Sequence, residues 1–105
     1  MGKCKLMVLY LHPNSPEKFQ EHYMNVHLPL AAQLPGLLAS RYTIEPIGVN
    51  EPSPYFCIWE GDFVDMAAID IALYSEIGQS VAADAGKLAT GGIILLRCQA
   101  VEISD

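Results

Sequence analysis

Two of the chain's three histidines, His22 and His27, stand in one short block, FQEHYMNVHLPLAAQLPG, residues 19–36. An imidazole exchanges a proton near neutral pH, so general acid–base chemistry and metal ligation are the first possibilities. Helix geometry tests the second. With Phe19 as reference and ~100° per residue, Tyr23 lies at about +40°, Val26 at about −20°, His27 at about +80° and His22 at about −60°. The histidines thus flank an apolar stripe on opposite edges and do not form a metal pair. His27 falls where the helix is expected to stop or kink, because Leu28 precedes Pro29 and a residue before proline is pushed from helical conformations. The helix dipole there favours a charged imidazole and burial favours a neutral one. In either case His27 can exchange a proton; capping the broken helix end is the structural alternative. Tyr23, four residues earlier on the same side, is the candidate to orient the imidazole or a substrate, against the alternative of a core ring with a wet tip. His22 reads as a solvated helix edge, and His12, before Pro13, as a turn residue.

Further candidates lie on strands. Tyr42 and Arg41 point to opposite sheet faces, so one must face a covered side and needs a partner or marks a pocket. Tyr42 is taken as substrate-binding, and so is Trp59, as a pocket wall; interface packing is the alternative for Trp59. Phe56 is expected on the face opposite Trp59. Arg97, if covered, requires a carboxylate such as Glu60 or Glu102. Asp84 reads as a solvated or capping residue. No H-x-x-x-H pair or Cys/His cluster suggests zinc, and neither a phosphate-binding glycine loop nor a G-x-S-x-G elbow is present. No cofactor and no metal are expected.

The elements that must position these residues alternate in type. CKLMVLYL (4–11) reads as a strand apolar on both faces. Ser15 caps a helix with Pro16 at its first position, and a short turn from Pro29 to Leu34 closes at Pro35-Gly36. Residues 37–48 and 55–63 read as strands around the loop VNEPSP. Asp62 or Asp65 caps DMAAIDIALYS, Ser75 caps EIGQSVAADAGKLA, and Gly91-Gly92 precedes a last strand, 93–103. The order β-α-β-β-α-β is the ferredoxin-like pattern, an α+β sandwich on a four-stranded antiparallel sheet, within one domain over 1–105.

Bulk properties narrow the partners. The chain has 105 residues, 51% hydrophobic and 17% charged, with a formal charge of −6. That charge opposes nucleic acid and a polybasic membrane surface. No apolar run is long enough to span a bilayer and no signal peptide is evident, so a cytoplasmic protein is expected. Cys4, Cys57 and Cys98 read as inert thiols. A doubly apolar sheet needs a second cover, and another copy of the chain is the simplest, giving a homodimer in which two sheets face each other as a dimeric α/β barrel.

The block HYMNVHLPLAAQLPGL resembles the EthD family of the dimeric α/β barrel superfamily, through Tyr23, His27, Pro29, Leu30 and Leu34-Pro35-Gly36-Leu37. Phe63, Ser75, Gly78 and Ala82-Ala83-Asp84 extend the resemblance over nearly the whole chain. The family is named for ethyl tert-butyl ether degradation, where it accompanies a cytochrome monooxygenase system. Superfamily relatives include cyclases, cofactor-free monooxygenases and lactone isomerases, so the fold does not give the reaction. The resemblance implies a cavity near the sheet and helices, with His27 carried over for proton transfer. The expected ligand is a small hydrophobic or aromatic molecule. The expected activity is cofactor-independent isomerisation, cyclisation or oxygenation, with a non-catalytic accessory or carrier as the alternative.

Overall fold

The computed structural model describes residues 3–104. Its elements are β1 (Lys3–Leu11), α1 (Pro16–His22), a π-helical turn (Tyr23–His27), α2 (Leu28–Ala31), β2 (Ala39–Ile44), β3 (Tyr55–Phe63), α3 (Met66–Tyr74), α4 (Glu76–Leu88) and β4 (Ile93–Ala100). The strands form one sheet in the order β2-β3-β1-β4, every neighbour antiparallel. This is the ferredoxin-like α+β arrangement. β2 and β4 are shorter than the apolar runs that suggested them. β2 ends before Glu45, which takes a positive φ of 54° and leaves the ladder.

Caps set where the helices begin. The side chains of Ser15, Asp65 and Ser75 accept hydrogen bonds from the backbone N–H groups of Lys18, Ala68 and Gly78. Asp65, not Asp62, starts α3. Asp62 instead pairs with Arg41 across the sheet, at 2.6 Å. Ser75 also donates to the Ala72 carbonyl, so one hydroxyl ends α3 and starts α4. The junction is so tight that a Cβ on Gly78 would collide with the Ala72 carbonyl oxygen, which accounts for glycine there.

All helices pack on one face of the sheet. Register places Val8, Trp59, Tyr42 and Leu95 in one row on that face, and Met7, Glu60, Arg41 and Leu96 in a row on the other. The helix-side core joins Cys4, Leu6, Leu34, Trp59, Phe63 and Ile69 at one end with Tyr10, Phe19, Tyr23, Phe56 and Cys57 at the other. A register shift between Tyr10 and Leu11 explains why Phe56 is not opposite Trp59. The bulge turns Phe56 into the core that already holds Cys57, where Phe56 meets Phe19 edge-on at 5.1 Å. Arg97 also lies on the helix side and pairs with Asp70 of α3 at 2.8 Å. Glu60 is on the opposite face, where it meets Lys5, so it cannot serve Arg97.

Ser75→Ala removes both bonds at the α3–α4 junction. It is expected to cost about 1–2 kcal/mol, typical of a lost cap, read as a lower urea midpoint with an unchanged slope.

Candidate functional site

Pro29 does not stop the first helix. Leu28 is helical, with φ −61° and ψ −44°. The chain accommodates the proline by widening: the N–H of Leu28 bonds back five residues to the Tyr23 carbonyl. Proline brings no N–H, and its ring crowds the carbonyl four residues earlier; a wider turn removes the crowding without ending the helix. The widening also resets the phase. Residues five apart stand about 140° apart on an α-helix, but one above the other across a π turn. His22 and His27 are five apart. The α-helical phase that set them on opposite edges of the apolar stripe therefore does not hold at this turn.

Their shared partner is Asp84 of α4. Its Oδ1 lies 2.7 Å from His22 Nε2, and its Oδ2 lies 2.8 Å from His27 Nδ1. Asp84 is 7% exposed, so the expectation of a solvated residue is overturned. An ionised carboxylate only accepts, so both imidazoles donate N–H to it. Burial acts to raise the Asp84 pKa, but the hydrogen bonds and charges of His22 and His27 together hold the carboxyl below its ordinary value. For His27, 5% exposed, burial wins in the other direction. It depresses the imidazole pKa although Asp84 opposes it. His27 is then neutral near pH 7, its Nδ1–H committed to Asp84 and its Nε2 lone pair turned the other way. Tyr10 Oη stands 3.3 Å from that Nε2. Burial, first, with Cys57 and Asp84 behind it, pushes the Tyr10 pKa well up, so the phenol keeps its proton and donates.

Aromatic packing fixes the imidazole plane. Phe19, Tyr23 and His27 recur every four residues and stack, with centroids 5.2 and 5.4 Å apart. Tyr10 stands edge-on to all three. Tyr23 is fully buried, with only the Cys57 thiol beside its hydroxyl; it is a wholly interior ring without a wet tip.

His27 and Tyr10 border a cavity of about 170 Å³ between the sheet and α2, α3 and α4. Leu6, Val8, Trp59 and Leu73 supply apolar wall, and half-exposed Leu95 on edge strand β4 stands at its rim. Of the candidate catalytic and substrate-binding residues, His27 and Trp59 line this space. Tyr23 lies behind His27. Tyr42 is farther along the sheet, 40% exposed, with its hydroxyl donating to Met24 Sδ at 3.3 Å. Among the described residues no group of three or more His, Cys, Asp and Glu side chains is placed to hold a metal ion, and no helix is long and apolar enough to cross a membrane.

An EthD domain model matches residues 11–92, from the end of β1 to the start of β4. The chain belongs to the EthD family. It is 33% identical over 95 residues to an uncharacterized 11.0 kDa protein from the thcB–thcC intergenic region of Rhodococcus erythropolis, covering 88% of this chain and 89% of that one. Among solved structures it resembles an EthD family protein of Bacillus halodurans, with a TM-score of 0.87, 28% identity, and coverage of 94% and 99%. A dimeric ferredoxin-like protein from Jannaschia shares the fold at a TM-score of 0.66 and 19% identity, with coverage of 98% and 100%.

In this EthD chain the role of Asp84, misread in the sequence, and that of Tyr10, missed there, each carried a signal. Asp84 falls at helical spacing among Ile77, Val81, Ala85 and Leu88, so a carboxylate stood on the inner face of α4. Tyr10 closes the alternating set Cys4, Leu6, Val8, Tyr10, a phenol at the end of a buried row.

The depressed His27 pKa has a pH consequence. Above the ordinary 6.5 both folded and unfolded chains hold it neutral. Below that, the unfolded chain takes up a proton that the folded chain resists, so stability falls as pH falls toward the folded value. Urea midpoints of wild type should decline through this window more steeply than those of His27→Gln, which lacks the titrating ring.

Proposed function

We propose that this EthD protein is a cofactor-independent enzyme in which His27 moves a proton on a small apolar or aromatic substrate held in the cavity. One observation carries the reading: an imidazole oriented by a buried carboxylate turns its other nitrogen to a phenol beside an apolar cavity. Orientation and tautomer are fixed before substrate arrives, which lowers the reorganisation needed at reaction. Nε2 accepts a proton from an activated C–H or O–H of the substrate. Asp84 stabilises the imidazolium that forms. Tyr10 releases Nε2 as substrate enters and donates instead to the oxygen on which negative charge develops. Returned to another substrate atom, the same proton completes an isomerisation or cyclisation. Trp59 supplies a flat wall, and Tyr23 keeps the imidazole in plane. A cavity of about 150 Å³ accommodates benzene, so the volume here suits one substituted ring or a lactone of that size.

The working unit in this proposal is a homodimer. The sheet face without helices presents Met7, Ile58, Ile94 and Leu96, with Leu96 46% exposed. The Jannaschia neighbour of this fold is dimeric. Pairing through this face covers apolar surface and leaves the His27 cavity, on the other side of the sheet, unobstructed. Leu96→Arg should yield monomers by light scattering at micromolar concentration, because it sets a cation in an apolar contact; an unchanged dimer would place the interface elsewhere.

Phenolic, quinone, lactone and ether-derived compounds should be screened by thermal shift on wild type and His27→Gln, and hits assayed for turnover. For an acid–base enzyme, turnover should fall by at least about 100-fold in His27→Gln, the usual range for a lost acid–base group. A compound that stabilises both proteins and is turned over by neither identifies a carrier and overturns the catalytic reading.

A further inference from the structure

A second concavity lies on the surface where α1 meets the end of α4. It encloses about 410 Å³, and its walls include Ser15, Lys18, His22, Lys87 and Thr90 over an apolar floor of Phe19 and Leu88. Its charge is unlike that of the rest of the chain. The protein carries 12 acids against 6 bases. Lys5, Arg41 and Arg97 each sit on a carboxylate within 3.0 Å. Lys18 and Lys87 form no ion pair among the described residues, come from different helices, and border this one cleft, whose walls include no carboxylate.

The neutral groups fit the same ligand. Ser15 Oγ accepts the N–H of Lys18, and Thr90 Oγ1 accepts the N–H of Asn14, which leaves each hydroxyl hydrogen free to donate outward. His22 borders the cleft with its Nε2–H given to Asp84. Two ammonium groups and two hydroxyl donors around an apolar floor match an oxyanion attached to a compact organic body.

We propose that this cleft is a binding site for the phosphate or carboxylate end of a small organic anion. The site goes beyond the proton chemistry of His27 and does not depend on it. His22, which borders the cleft, lies two hydrogen bonds from His27 through Asp84.

The test is titration of the full chain with inorganic phosphate and with phenyl phosphate, at ionic strength held constant by sodium chloride, followed through the histidine imidazole NMR signals. His22 should shift saturably with either probe. Tighter binding of phenyl phosphate would mark an organic ester as the occupant; equal binding would mark the free oxyanion. The double variant Lys18→Met/Lys87→Met should lose at least tenfold in affinity. A His22 shift no larger than chloride alone produces, or full affinity in the double lysine variant, would overturn the proposal.

Discussion

One carboxylate organises this site. Asp84 is almost sealed from water, where a lone charge is costly, and two N–H donors on its two oxygens make that position tenable. The bonds tie α4 to the first helical segment and hold the His27 ring at its Nδ1 edge. They also decide the tautomer, and so which nitrogen meets the cavity. Tyr10 closes the arrangement from β1. A strand and two helical segments thus converge on one imidazole, while the cavity beside it stays almost wholly apolar. The polarity of the site is concentrated at one end, where a proton can be handled without water competing along the walls.

Much of this was legible in the sequence. Alternation in β1, the caps Ser15 and Ser75, and the loop 49–54 outline the fold because each is a local signal acting over a few residues. Family membership rests on the block from Tyr23 to Leu37 and its continuation past Gly78. The shape of the helix around Pro29 was not legible. The pre-proline rule describes an average preference, and here a widened turn satisfied the same steric demand while keeping Leu28 helical. That one difference altered which residues share a side. Asp84 followed: its role depends on two histidines more than fifty residues away. The bulge near Leu11 similarly moved Phe56 to the helix side, since a period of two holds only while the ladder is regular.

The sheet separates two tasks. Its helix side builds the cavity, and its other side carries the apolar row that pairing of subunits would cover, beside the network of Lys5, Glu60, Arg41 and Asp62. Strand alternation lets the same residues serve both without conflict, because odd and even positions of β1 answer to different neighbours. Changes at one surface can therefore accumulate with little effect on the other, and an interface can vary among relatives that keep one cavity.

The widened turn also bears on ancestry. A π turn carries one residue more than the α-helical turn it replaces, so it behaves as an insertion that the helix has absorbed. Deleting a single residue between His22 and His27 would leave the histidines four apart, about 40° from one another on an unbroken α-helix, and so still on one side of it. The extra residue is thus absorbed without turning either ring away from α4. A change of one residue in length is tolerated at this turn, where elsewhere in a helix it would rotate every later side chain by about 100°.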